Sequence, residues 1–306
     1  MTKNILVTGA NGFTGSHLVD RLKRKHNIVS LIHTSIKGDW QANALKESIK
    51  WAGDIRDPLG LQELIAHQEI DEIYHTAALA KVKTAYLEPY SVFDVNVMGT
   101  VALLEAARQL DVDRILLMQT DKVYGEGLNL NEDAGYETSE PYATSKCCQG
   151  FIAATYAETY GMNIVLPHCC NIFGYDPYSN RIVPNVIKDC LQGKSPAIYS
   201  NDNSIREYIF IEDLLDGFEV LMKDKSMMGA YNFSTGWVYN QKDIVLKILN
   251  NFPDLEPQII EADLPMQIEE ESLSSCRWDW KPQFDIDSAL AVTIERFESF
   301  RKDWLK

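Results

Sequence analysis

The chain opens on a short unbroken apolar run, and from there apolar runs alternate with stretches in which apolar residues recur every third or fourth position. An unbroken run marks a strand covered on both faces, and the wider period marks one face of a helix. On that basis the pattern predicts strands at Asn4–Thr8, Ile28–His33, Glu72–His75, Arg114–Gln119 and Asn163–Pro167. Helices are predicted over Gly15–Lys25, Leu59–His67, Val92–Leu110 and Pro141–Tyr160, the last stopped by Gly161. Buried strands alternating with helices form a doubly wound parallel α/β sheet. After about Phe173 the rhythm breaks into helices and short strands rich in Pro and aromatic residues, which predicts a second, smaller α/β lobe. The expected boundaries are 1–172 plus about 207–236 for the first lobe, and 173–206 with 237–306 for the second.

Composition narrows the functional classes. The 306 residues carry 29 Lys and Arg against 44 Asp and Glu, a formal net charge of −15. That balance repels nucleic acid and anionic lipid, so neither is expected as a partner. None of the six cysteines forms a C-x-x-C pair, and the adjacent pairs suit neither a disulfide framework nor a zinc site. Reduced, mostly buried thiols point to the cytoplasm, and no metal is indicated. No apolar run is long enough to span a bilayer, and the opening residues lack the pattern of a signal peptide.

The first strand runs into Gly9-Ala10-Asn11-Gly12-Phe13-Thr14-Gly15 and then a helix. Glycines allow a tight turn and a close approach by a pyrophosphate, whose charge the helix N-terminus holds. The spacing is G-x-x-G-x-x-G, and its place between first strand and first helix points to a dinucleotide. A carboxylate at the end of the second strand would favour NAD, by binding the ribose hydroxyls. That stretch holds His33, Ser35 and Lys37 with no acid before Asp39, so the sequence leans to NADP over NAD.

Tyr142 and Lys146 lie one helical turn apart on one face. A tyrosine hydroxyl is a poor base near neutrality, and a neighbouring cation favours its phenolate. Thr120, at a strand's carboxyl end, can hydrogen-bond a reacting hydroxyl.

These residues and several neighbouring segments resemble the extended short-chain dehydrogenase/reductase family, end to end. The segments are Gly53-Asp54-Ile55-Arg56-Asp57, Tyr74-His75-Thr76-Ala77-Ala78, Asn96 with Gly99-Thr100, Thr120-Asp121-Lys122-Val123-Tyr124-Gly125 and Tyr142-Ala143-Thr144-Ser145-Lys146. The resemblance implies a Rossmann-type fold whose cofactor meets Gly9, Asn11, Gly12, Phe13, Gly15, Asp54, Ile55, Ala77, Ala78, Tyr142 and Lys146. It implies a nucleotide-sugar substrate held by Lys81, by Asn171 in Pro167–Gly174, and by the cations Arg181 and Arg206. Asn232 is a further phosphate contact or a turn former. Near the closing segment, Glu269, Glu270 and Glu271 stand where many relatives carry a diphosphate-binding Arg. Thr120-Asp121-Lys122 resembles the pattern of nucleotide-sugar 4,6-dehydratases, with Asp121 the acid at C6 and Lys122 at the position of the C5 base. A 4-epimerase or 4-ketoreductase using only Thr120, Tyr142 and Lys146 is the alternative. A non-catalytic NAD(P)-sensing protein is more distant, since such proteins usually lack the Tyr/Lys pair. The resemblance also implies a homodimer built by Val92–Leu110 and Pro141–Tyr160 as a four-helix bundle.

Overall fold

The computed structural model describes residues 2–138, 140–200, 204–261 and 270–305. The chain folds into two compact units, Met1–Gly125 with Gly135–His168 and Gly217–Tyr231, and Glu126–Ala134 with Cys169–Asp216 and Asn232–Lys306.

The first unit is built on β1 (Asn4–Thr8), β2 (Asn27–Ile32), β3 (Ile49–Ala52), β4 (Glu72–His75), β5 (Arg114–Leu117) and the short β6 (Gln119–Thr120). After β7 (Gly127–Leu130), which belongs to the second unit, come β8 (Ile164–Cys169) and, further on, β9 (Asn171–Phe173), β10 (Ala197–Tyr199), β11 (Ile205–Phe210) and β12 (Gly229–Phe233). The large sheet has the order β12-β8-β5-β4-β1-β2-β3, with β6 against β8. Pairing from β3 to β8 is parallel throughout. Its helices are α1 (Phe13–Leu22), α2 (Gly38–Ala44), α3 (Pro58–His67), α4 (Val82–Leu87), α5 (Pro89–Phe93), α6 (Gly99–Gln109) and α7 (Pro141–Tyr160). Leu61, Leu64, Leu103, Leu104, Ile115 and Ile164 fill the core on one face of the sheet. Arg114, wholly buried at the head of β5, donates to Leu221 O, Asp224 O and Met227 O. It thereby takes up carbonyls that a helix end leaves over.

The second unit adds α8 (Ile182–Leu191), α9 (Ile211–Lys223, shared with the first unit), β13 (Val238–Asn240), α10 (Gln241–Leu249), β14 (Gln258–Ile260), β15 (Glu270–Leu273) and α11 (Ile286–Ser299). Its main sheet has the order β13-β11-β15-β7 with β9 against β11, and β10 pairs with β14. These pairings draw 126–134, 169–172, 207–216 and 232–236 into the second unit, where the linear pattern had put them in the first. Strand partners far apart in sequence, not local rhythm, set that boundary.

Two predicted elements are interrupted. The helix expected over Val92–Leu110 is α5, a π-helical turn at Asp94–Met98, and α6. The side chain of Asn96 in that turn is buried and bonds Leu79 N (2.8 Å) and Leu79 O (3.3 Å). The strand expected over Arg114–Gln119 breaks at Met118, and β8 runs through Pro167 to Cys169. Among the described residues no helix is long and apolar enough to cross a membrane.

Candidate active site

The glycine loop lies where β1 passes into α1. Gly9 has φ +67°, and a Cβ there would sit 2.8 Å from Ala77 Cα and N, so the chain passes directly against the end of β4. A Cβ at Gly15 would collide with Gly9 O, so α1 can seat on the loop only without one. Gly12 N donates to Gly9 O (2.8 Å) and Gly12 caps α1, with Phe13 as its first residue. Asn11 Nδ2 donates to Thr34 O (2.9 Å), and Gln41 Nε2 to Asn11 O (2.6 Å), tying the loop to the segment after β2. Of that segment, His33, Ser35 and Lys37 are exposed. Asp54 Oδ2 lies 3.7 Å from His33 Nδ1, so β3 brings a carboxylate to the end of β2 that the linear reading did not count. Hydrogen bonds from Arg56 hold that carboxyl down at about 2. Ile55 is buried beside Gly99, and Ala77 and Ala78 follow β4.

The chemistry-bearing side chains sit at the other end of the same sheet edge. Thr120 ends β6, and its hydroxyl donates to Asp121 Oδ1 (2.9 Å), which also accepts from Lys122 N (2.9 Å). Thr120 caps the 3-10 turn Asp121–Tyr124, its hydroxyl also accepting from Lys122 N (3.4 Å); Asp121 is buried, and Lys122 is half-buried. Helix α7 packs against β6 and this turn. Its start is fixed by Glu140, whose carboxyl accepts from Tyr142 N (2.8 Å) and Ala143 N (2.6 Å), with Pro141 at the first helical position. Tyr142 packs with Ala85, Val92, Leu79 and Val82. Lys146 is buried, its Nζ donating to Met118 O (2.8 Å) and Gln149 Oε1 (2.6 Å). Cys147 donates to Val123 O, and burial pushes its thiol up to about 12, so it is no nucleophile.

A nicotinamide dinucleotide fits this unit on two observations. At the N-terminus of α1 a Cβ on Gly12 would meet only Gly9 O, at 3.1 Å, so the loop leaves room there for a phosphate. One residue before Thr120, the carboxamide of Gln119 is buried with neither polar atom hydrogen-bonded to the described residues. Such an orphan is what a bound polar group satisfies. Among the described residues no cluster of His, Cys, Asp and Glu could hold a metal.

In the second unit, Asn171 Nδ2 donates to Glu207 O (3.1 Å), and Arg181 is exposed at the N-terminus of α8. Arg206, on β11, is half-buried and in register with Glu271 of β15. Lys81, in the first unit, is exposed at the N-terminus of α4. Asn232 departs from the phosphate role: it is wholly buried, and Nδ2 donates to Leu130 O (3.1 Å) and Ser274 O (3.0 Å). Its amide ties strands together. Of the expected acidic run, Glu270 and Glu271 open β15, and Glu269 lies outside the described residues.

Sequence reasoning missed Gln119, Gln149 and two buried carboxyls, Glu132 and Glu207. Gln149 was within reach of inspection, one turn beyond Lys146 on the same helix. Glu132 and Glu207 pair with segments too distant in sequence to leave a local signal, and the burial of Gln119 is set by the packing around β6.

Comparison with known proteins agrees with this geometry. The model of the NAD dependent epimerase/dehydratase family matches residues 5–233. The dTDP-D-glucose 4,6-dehydratase of Dictyostelium discoideum is 27% identical over 269 residues, spanning 81% of this chain and 62% of that protein. The solved dTDP-glucose 4,6-dehydratase DesIV of Streptomyces venezuelae, with NAD bound, superposes with a TM-score of 0.87 at 25% identity, over 99% of both chains. The UDP-glucose 4-epimerase of Thermus thermophilus, also with NAD, gives 0.86 at 26%, over 96% and 99%. On a match that covers most of its length, and with the glycine cradle and the Tyr142/Lys146 helix in place, this chain belongs to the NAD dependent epimerase/dehydratase family.

Proposed function

We propose that the protein is a nucleotide-sugar 4,6-dehydratase, converting an NDP-hexose to its 4-keto-6-deoxy form. The observation that carries this reading is the Thr120-Asp121-Lys122 turn packed against the helix of Tyr142 and Lys146. In this reading Thr120 orients the C4 hydroxyl and Tyr142 takes its proton, with Lys146 favouring the phenolate. A dinucleotide held by the Gly9–Gly15 loop and Lys146 would supply the hydride acceptor for C4 and the hydride donor for C6. Once C4 is a ketone the C5 proton is acidic, and Lys122 removes it. Asp121 gives a proton to the C6 hydroxyl, which leaves as water. These roles need a neutral acid and a neutral amine, the forms that desolvation favours. Asp121 must then leave the bonds it makes within its own turn.

Asn171, Arg181, Arg206 and Lys81 are the proposed contacts to the nucleotide sugar, an Arg fork suiting two phosphate oxygens. The carboxylate of Asp54 beside His33 would repel a 2′-phosphate, so NAD replaces NADP as the favoured cofactor. Titration of each dinucleotide checks this, and tighter binding of NADP overturns it. The homodimer is proposed on the exposed Met98 and Leu110 of one helical segment and Phe151 and Tyr160 of α7. Sedimentation of wild type and Phe151→Asp tests it, and a monomeric wild type refutes it.

The test of function is a panel of UDP-, CDP- and dTDP-hexoses assayed for 4-keto-6-deoxy product. Tyr142→Phe should slow turnover by a factor on the order of 10²–10⁴. In single turnover, Lys122→Met and Asp121→Asn should accumulate reduced cofactor with little 6-deoxy product. The T. thermophilus enzyme, as similar as the dehydratase, makes a 4-epimerase the second reading. Interconversion of C4 epimers by the wild type, with no loss of water, would establish it instead.

A further inference from the structure

Lys146 is held from behind by a chain of buried neutral groups. Gln149 is wholly buried, and while its Oε1 accepts from Lys146 Nζ, its Nε2 donates to Asn96 O (2.8 Å) and to Thr100 Oγ1. The Thr100 hydroxyl donates to Asn96 O (2.7 Å), so its oxygen must accept both from Gln149 and from His75 Nε2 (3.2 Å). Burial, reinforced by the charge of Lys146, holds the His75 ring down at about 3, so it is neutral with a single N–H. That N–H faces Thr100, and Nδ1 accepts from the Thr8 hydroxyl (2.7 Å) on β1. With the Thr100 proton on Asn96 O, donors and acceptors alternate without conflict along Thr8, His75, Thr100 and Gln149 to Lys146.

Two features separate this brace from ordinary packing. Asn96, whose carbonyl anchors the brace, lies in the π-helical turn, in which Gly99 N donates to Asp94 O; such turns recur at functional sites. The residue against the ammonium is an amide. It can locate the nitrogen by its carbonyl dipole without cancelling the charge that Tyr142 needs, which a carboxylate would do.

We propose that Gln149 is a positioning residue, which sets the place of the Lys146 ammonium and, through Thr100 and His75, ties it to β4 and β1. This rests on the reading of Tyr142 and Lys146 as the pair that oxidises C4. The experiment compares wild type, Gln149→Met, Thr100→Val, Lys146→Met and the double variants, each loaded with dinucleotide. It measures kcat and KM for the nucleotide sugar, dinucleotide affinity by fluorescence quenching, and Tm. Gln149→Met should lower kcat by roughly tenfold or more with KM within about twofold, as misplacement of a catalytic group does. Dinucleotide affinity should weaken alongside. Thr100→Val, which removes the link behind Gln149 and leaves the Gln149 bond to Lys146, should lower kcat by about threefold. Neither change should cost anything further in the Lys146→Met background, because groups acting through one residue are not additive. If Gln149→Met does not fold, Thr100→Val and its double with Lys146→Met carry the same test. Wild-type kcat in the brace variants, or an equal loss with and without Lys146, overturns the proposal. Wild-type turnover in Lys146→Met overturns the underlying reading of the pair instead, and is seen before any brace variant is made.

Discussion

The two units hold themselves together in different ways. In the first, parallel ladders between β3 and β8 set the frame, apolar residues fill its face, and a glycine loop brings β1, α1 and the end of β4 into backbone contact. In the second, short strands from widely separated parts of the chain are pinned by two buried carboxyls. Glu207 accepts from Thr235 N (2.6 Å), Gly236 N (2.9 Å) and Leu273 N (2.6 Å). Glu132 accepts from Asn232 N (2.8 Å), Ser275 Oγ (2.6 Å) and Cys276 N (2.9 Å). In the first unit the strands from β3 to β8 satisfy their backbone in parallel ladders. In the second unit the N–H groups of Thr235, Gly236 and Cys276 turn to side chains, and a buried carboxyl is an acceptor for several at once.

If this contrast is right, backbone space is the weak point of the first unit and single acceptors are the weak points of the second. Gly15→Val should have the largest effect, about 3–5 kcal/mol, because α1 must lift off Gly9 O to admit the side chain. Urea unfolding measures this, and a stable, cofactor-binding Gly15→Val would break the account of the loop. Glu207→Ala removes the acceptor of three N–H groups, that of Leu273 buried, and should cost about 3 kcal/mol. A loss below about 1 kcal/mol would show that water or a shifted strand replaces the carboxyl.

Glu132→Gln should cost less, about 1–2 kcal/mol, since one oxygen remains and an NH₂ faces Cys276 N. Burial opposes the charge of Glu132, yet the hydrogen bonds from Asn232, Ser275 and Cys276 outweigh it and hold the carboxyl below its ordinary value. Its contribution is therefore complete above the unfolded pKa and is lost as pH falls through the lower folded one. The gap in stability between wild type and Glu132→Gln should thus be full at pH 7 and shrink below about pH 4.5. A gap that widens on acidification would contradict the assignment. The smallest effect belongs to a cap in the first unit: Asp57 accepts from Gly60 N (3.1 Å) to start α3, and Asp57→Ala should cost about 1 kcal/mol. A larger loss would mean that caps, and not ladders, carry that unit.

Most of the first unit was legible because its signals are local. Strand β1, strand β4 and helix α7 occupy the residues the pattern predicts, since buried runs and a Pro141/Gly161 frame act within a few positions. Glycine spacing marked the loop, and Tyr142 and Lys146 share a helix face by periodicity alone. The interruption at Asp94–Met98 was not legible, because it depends on Asn96 reaching Leu79 and Ser145 across the fold.

The sequence by itself determined the α/β alternation, the glycine loop and the composition of the Thr120 turn and helix α7, all consequences of periodicity or of spacing along one element. Only the tertiary structure decided that Asp54 stands beside His33, that Asn232 is a tie between strands, and that Gln149 locates Lys146. Each of these depends on which buried donor meets which acceptor. In a low-dielectric interior an unmet polar group is costly, so the packed fold selects such partners, and no local pattern announces them.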